Sequence, residues 1–154
     1  ALLSGKYGEP LSASDFGIIS PYGEQVSNIR KKLKKALPSL KAAEIHDMVA
    51  SLDSFQGQER SIILCSCTRS NQKPVNRNRI GFLKELRRLN VALSRPLKEL
   101  VFIGDIDFLA SCASGEGKGS EREFSAFIQL MREHVERDGE FILSGDFMKR
   151  LEAD

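Results

Sequence analysis

Val49-Ala-Ser-Leu-Asp-Ser-Phe-Gln-Gly-Gln-Glu59 decides how this chain is read. Met48, Val49 and Ala50 make an apolar, strand-like approach, and Asp53, Ser54, Gln56, Gly57 and Glu59 load the turn that follows. Ser61-Ile62-Ile63-Leu64-Cys65 is then a second apolar run, so strand, turn and strand form one unit. In an open α/β sheet ligands collect beyond the carboxyl ends of strands, where such a turn would sit. Taken alone, the stretch is equally a plain connection, with Gly57 supplying a permissive φ and the acids solvated.

Working outward, Phe16 to Ile19 is a short apolar run after Asp15 and predicts a buried strand. Pro21 can open a helix, because its missing N–H would be unsatisfied there anyway. Val26, Ile29, Leu33 and Leu37 follow at helical spacing, ending before Pro38. Arg30, Lys31, Lys32, Lys34 and Lys35 fill the faces between them, and a solvated face accounts for these cations better than a phosphate-binding patch. Lys41 to Asp47 is read as a connector, with His46 as a loop or edge histidine. Ser61 to Thr68 is the second strand, and Arg69 to Arg79 a surface loop rich in turn formers. Phe82, Leu86, Leu89, Val91 and Leu93 support a helix, and Leu100 to Ile103 another short buried strand closed by Gly104-Asp105. Ser111 to Ser120, with three glycines, reads as a flexible linker. Phe124, Phe127, Ile128, Met131 and Val135 predict an amphipathic helix ending near Gly139, and Gly145 to Leu151 a last short piece. Strands alternating with helices give an α/β fold on a parallel sheet, with right-handed connections.

At 154 residues and 41% apolar content, one domain with an ordinary core is expected. Twenty-three Lys and Arg against 21 acids leave +2, too little for overall charge to announce a nucleic-acid binder, so binding must come from local placement. Cys65-Ser66-Cys67 has no second pair or nearby His, so no metal site is assigned; Cys65, Cys67 and Cys112 are read as reduced thiols in a cytoplasmic, intracellular setting. No apolar run approaches the ~20 residues that cross a bilayer, so no membrane partner is expected. The start without Met reads as a cut from a longer chain or as a chain that has been processed.

Three stretches together resemble a family. Asp53-Ser-Phe-Gln-Gly-Gln-Glu59 is similar to motif V of superfamily 1 helicases, of the subgroup typified by the nonsense-mediated-decay RNA helicase and the Dna-two-type nuclease helicases. Arg87-Arg-Leu-Asn-Val-Ala-Leu-Ser-Arg95 resembles motif VI, and Gly17-Ile-Ile-Ser-Pro-Tyr-Gly-Glu-Gln-Val26 motif IV. Their common order over residues 15–104 is far more specific than any one pattern. The resemblance implies a RecA-like three-layer α/β/α domain with a mainly parallel sheet, the second domain of a P-loop NTPase. Residues 1–14 would then be a lead-in from an upstream segment, 15–110 the core, 111–120 the linker and 121–154 helices packing on the same domain.

The same resemblance assigns roles. Arg95 stands at the arginine-finger position, where a cation stabilises charge on a transferring phosphoryl group. Gly57 and Glu59 would face the nucleotide, one by its backbone and one by accepting from ribose hydroxyls; of Arg87 and Arg88, one would bind acids within the domain or stand near the nucleotide, and Arg88 is carried as the nucleotide-side candidate. Ser20, Tyr22 and Ser51 are the candidates for touching single-stranded RNA or DNA through its backbone, with Tyr22 able to stack. Asp53 and Gln56 would couple the two sites. ATP and Mg²⁺ would be bound mainly by a first RecA-like domain of the same parent, because the chain holds neither a Gly-x-x-x-x-Gly-Lys-Ser/Thr loop nor an acidic magnesium motif. This chain alone is therefore expected to be inactive, as half of an ATP-dependent helicase. Pro96 departs from the family pattern and forces Arg95 out of helix; it is the feature that favours the alternative, a non-catalytic RecA-like nucleic-acid-binding or interaction module.

Overall fold

The computed structural model describes residue 8 and residues 10–70, 93–111 and 120–140. Its centre is a sheet of four strands: β1 (Phe16–Ser20), β2 (Val49–Ser51), β3 (Arg60–Cys67) and β4 (Pro96–Gly104). They lie in the order β2-β1-β3-β4, and every pairing is parallel. Strands that are apolar on both faces need cover on both. β1 supplies it by alternation, sending Phe16 and Ile18 to one cluster and Ile19 to the other.

Helices α1 (Gly23–Ala36) and α2 (Ala42–Met48) cover one face through Val26, Ile45 and Met48, with Ile29 and Leu33 packed beside them. Helices α3 (Ile106–Ser111) and α4 (Ser120–Asp138) cover the other, where Phe108, Leu109, Phe124 and Ile128 meet Ile63, Cys65 and Phe55. The result is three layers, α/β/α. Phe55 and Phe124 are fully buried, each worth on the order of 1.5–3 kcal/mol against exposure. Cys65 and Cys67 are free and buried, their sulfurs 3.9 Å apart; the contact with Cys65 and burial push the Cys67 thiol well above its usual range.

Several features differ from the sequence reading. Pro21 lies ahead of the first helix, which starts at Gly23 after an extended Tyr22. Lys41 to Asp47 is helical, not a connector: the Lys41 amide donates to Glu44 Oε2 at 2.7 Å, and Ile45 and Met48 bury one side. Seven residues are too few to display a helical period, which hid it. β4 is nine residues long, opens at Pro96 and mixes partly buried with exposed positions, none of them fully buried, rather than being a short buried run. Proline is tolerated as the first residue of a strand, where its missing donor costs no ladder bond. Ile106 to Ser111, previously unassigned, is a helix capped by Asp105, whose Oδ1 accepts from the Phe108 amide at 2.9 Å.

Of the cations on α1, Arg30 is structural. It donates to Val49 O from Nε at 3.0 Å and from Nη2 at 2.6 Å, while Lys31, Lys32, Lys34 and Lys35 stay exposed. His46 sits exposed on α2, its carbonyl accepting from Arg30 at 3.4 Å. α4 docks on α3 through Ser125, whose hydroxyl donates to Leu109 O at 3.3 Å and to Ala110 O. Most of the expected 69–79 loop, the motif VI helix before Leu93, Cys112, residues 112–119 and the Gly145–Leu151 piece lie outside the described residues.

The strand–turn–strand unit of the sequence is not a local turn. β2 and β3 are separated by β1, so Leu52 to Glu59 must cross the sheet from the carboxyl end of β2 to the amino end of β3. Phe55 makes the crossing over Gly17, where a Cβ would stand 2.6 Å from both Phe55 Cζ and Ile63 Cδ1. Gly17→Ala should therefore lower stability by about 1–3 kcal/mol in denaturant unfolding. Combining it with Phe55→Leu should cost less than the sum of the two single losses; strict additivity would refute the contact.

Asp105 gives a pH dependence. A hydrogen bond from Ser70 at 2.6 Å, then the Phe108 amide, hold its carboxyl below the ordinary 3.8. A depressed carboxylate contributes stability that is present above its unfolded value and lost as pH falls through the folded one. Asp105→Asn should thus be less stable at pH 7 by under about 1 kcal/mol, as suits an exposed group, and the gap should close below pH 3.8. Melting curves at both pH values test this.

Candidate functional site at the two ends of the sheet

At the amino end, β3 and β4 begin side by side, with Arg60 opposite Pro96 and the Arg60 amide donating to Arg95 O at 3.3 Å. The residues just before them, Glu59 and Arg95, consequently face each other, and Arg95 Nη1 stands 3.7 Å from Glu59 Oε1. Their side chains are 55% and 27% exposed, so the pair is a loose one, worth at most ~1 kcal/mol. Arg95 Nε and Nη2 also donate to Ser94 Oγ at 3.3 and 3.1 Å. Helix gives out at Leu93, and Pro96 starts the strand, leaving Arg95 in a bend between them. A partly exposed guanidinium, 27% accessible and with an exchangeable partner, is a planar fork suited to phosphate oxygens.

Gly57 belongs to this edge by its backbone. Its φ is +83°, while a Cβ there would meet nothing within 4 Å, so the requirement is conformational and not one of space.

At the carboxyl end, Ser20 and Ser51 are register partners closing β1 and β2. Ser20 is fully buried; its hydroxyl donates to Ser66 O at 3.0 Å and accepts from the Tyr22 amide at 3.4 Å. In this arrangement that hydroxyl is used inside the sheet and fixes Tyr22. Ser51 Oγ accepts from the Ser54 amide at 3.2 Å and shares a 2.8 Å contact with its hydroxyl, starting the crossing segment as a capped turn. Tyr22 is half-buried under Arg69, whose guanidinium lies 5.9 Å from the ring centroid. Burial pushes the Tyr22 phenol above its usual range, opposed by the hydrogen bond and charge of Arg69.

The structure thus brings together Gly57, Glu59 and Arg95 at one end and Ser20, Tyr22 and Ser51 at the other, roughly 20 Å apart along β3. The first group sits at amino ends, not at the carboxyl ends where the sequence placed the whole turn. Asp53 and Gln56 are exposed on the segment that joins the two groups. Arg87 and Arg88 lie outside the described residues. Sequence reading missed Arg69, taken as part of a surface loop, and Arg60. Nothing in a one-dimensional pattern marks an arginine that opens a strand as the neighbour of two loops. Among the described residues no three His, Cys, Asp or Glu side chains group as metal ligands, and no helix is long and apolar enough to cross a membrane.

An all-parallel sheet between two helical layers, with polar strand-end segments at both edges, defines a RecA-like α/β domain. The family model described as an AAA domain matches residues 2–107, and the chain belongs to that family, as the C-terminal domain of a superfamily 1 helicase of the nonsense-mediated-decay and Dna-two type. It is 42% identical over 101 residues to DNA polymerase alpha-associated DNA helicase A of Saccharomyces cerevisiae, covering 66% of this chain and 14% of that protein. It is 38% identical over 107 residues to RNA helicase Mov10l1 of Homo sapiens, covering 68% and 8%. A Regulator of nonsense transcripts 1 homolog of Neurospora crassa is 42% identical over 92 residues, covering 60% and 8%. The chain therefore spans a small part of the length of the curated relatives it matches.

Gly57→Ala should cost about 1–2 kcal/mol through left-handed strain alone. Gly57→Asn, whose side chain tolerates that region, should recover most of it in thermal melts. Equal losses in both variants would instead point to a contact at the missing Cβ.

Proposed function

We propose that this chain is the C-terminal motor domain of an ATP-dependent nucleic-acid helicase or translocase, supplying an arginine finger and part of a single-strand track. One observation carries this: Glu59 and Arg95 face each other at one end of the sheet, and a single crossing segment ties them to Ser51 and its neighbours at the other. Helicase relatives agree with it.

ATP and Mg²⁺ would be held mainly by the first RecA-like domain of the parent, and the residues present here fit the complementary share. Arg95 is reachable and weakly held, so a phosphate can replace Glu59 as its partner. Mg²⁺, held by that first domain, would supply charge neutralisation at the transferring phosphoryl group. Arg95 would supply a further cation to the transferring group, where charge accumulates. Glu59, released from Arg95, is free to accept from a ribose hydroxyl, and the left-handed turn at Gly57 presents backbone beside it. Arg88 would share the nucleotide side.

At the carboxyl end, Tyr22 under Arg69 offers a ring and a cation to a base and its phosphate. Ser51 can trade its Ser54 contact for a phosphate oxygen, while Ser20 acts by holding the Tyr22 amide. Such contacts follow a strand without reading its sequence. Asp53 and Gln56 stand on the segment through which closure at Glu59 reaches Ser51. The compartment that suits the buried thiols is intracellular and reducing.

The test is ATP hydrolysis by the full-length parent, with and without single-stranded RNA or DNA. Wild type should be stimulated by a strand, and Arg95→Ala should lower turnover by ~10³ to 10⁵ with melting unchanged. Equal turnover in the variant sinks the finger assignment. No hydrolysis in either protein, with strand binding retained, identifies a non-catalytic binding module instead.

A further inference from the structure

We infer that Arg60 is a positioning residue for the Arg95 finger, a role that rests on the function proposed above. Arg60 opens β3, and its side chain is only 16% exposed. Nη2 donates to Asp47 Oδ2 at 2.9 Å and to Gln58 Oε1 at 3.1 Å, and Nη1 donates to Glu59 O at 2.9 Å. The guanidinium carbon lies 5.6 Å from the centroid of the Phe55 ring. Its own amide donates to Arg95 O. The guanidinium thereby pins the main chain at Glu59 to the end of α2 and to the aromatic anchor of the crossing segment, and the next amide along that main chain holds the Arg95 carbonyl.

That pattern is more than a buried cation needs. A single ion pair with Asp47 would satisfy its charge, and Asp47 is itself 61% exposed. Instead, the fork is spent on the two residues that precede Arg60, at the cost of leaving Nε buried with no hydrogen-bond partner among the described residues. The contacts converge on the place where Glu59 and Arg95 meet. Between Arg60 and Ile62 the pairing with β4 shifts register, so the ladder bonds beyond it do not by themselves fix the Arg95 end. The guanidinium's hold on the Glu59 carbonyl supplies that fixing, passed to Arg95 through the Arg60 amide.

Lysine keeps the charge and can hold Asp47, but it cannot serve three acceptors in one plane. In the full-length parent, Arg60→Lys should lower kcat by about ten- to a hundredfold, as misplacement of a catalytic group by an ångström does. KM for ATP, single-strand affinity and melting temperature should stay close to wild type. The double variant Arg60→Lys/Arg95→Ala should be no slower than Arg95→Ala alone, because the lysine acts only through the finger. Asp47→Asn, which loosens the anchor, should reduce kcat in the same direction and by less.

Wild-type turnover in Arg60→Lys while Arg95→Ala is slow overturns this inference and leaves the finger intact. A further loss in the double variant also overturns it, since Arg60 would then act by another route. So does a parallel fall in kcat, strand affinity and melting temperature, the mark of a purely structural arginine. Wild-type turnover in Arg95→Ala removes the finger itself and this role with it.

Discussion

The ring of Phe55 lying on Gly17 is what lets this sheet exist in its order. A parallel strand pair with a third strand between requires the chain to pass over that strand, and the passage here is made by one short segment with no helix in it. Such a segment needs a hydrophobic anchor against the sheet and a place for it to sit. Leu52 and Phe55 provide the anchor, at 4% and 0% exposure, and the absent side chain of Gly17 provides the place. Everything that follows in space, including the start of β3 and its pairing with β4, is set by where that segment comes down.

The buried polar groups serve the same arrangement. In a parallel sheet closed on both faces, strand ends must find partners away from water, or they cost free energy. Ser20 and Ser66 satisfy each other across β1 and β3, Arg30 reaches the Val49 carbonyl at the sheet edge, and Ser61 joins Asp15 ahead of β1 at 2.9 Å. Asp15 is also held by Ser12, whose backbone bond keeps its carboxyl below the usual range. None of these side chains touches the loose Glu59–Arg95 pair. Firm polar contacts sit within the layers, and the one weak ion pair of the candidate site is left where an exchange of partners is least expensive.

Much of the fold was legible because it is written in period and punctuation. Phe16 to Ile19, Val26 through Leu33 and Phe124 through Val135 show apolar spacing long enough to distinguish strand from helix, and they fold as expected. Ala42 to Met48 and Ile106 to Ser111 do not, since a helix of two turns presents only a pair of apolar positions. Of the candidate site, the residue types and their two groups came from the motif resemblance, but no local period or spacing set those groups at opposite ends of the sheet. Glu59 and Asp53 are neighbours in sequence and lie toward opposite ends of the sheet, whereas Glu59 and Arg95 are distant in sequence and adjacent in space. That exchange follows from strand order, which local patterning does not encode. Arg69 escaped notice for the same reason, since its partner Tyr22 is set by β1 and β3 lying side by side, and Arg60 because its hold on Asp47 depends on where α2 ends in space.

The crossing segment also constrains how the two ends can communicate. Its inner side is pinned by Leu52 and Phe55, while Asp53, Ser54, Gln56 and Gly57 face outward, so it behaves as a strut with a hydrophobic keel and a polar rim. A displacement of Glu59 has two outlets. It can be absorbed at Gly57, whose left-handed backbone has open space around it, or passed through Phe55 to the Ser51–Ser54 turn. Arg60 bears on that choice, because its guanidinium grips the segment on the far side of Gly57 and touches the Phe55 ring as well. With Gln58, Glu59 and Phe55 tied to one guanidinium, Gly57 is bridged from both sides rather than left as a free hinge.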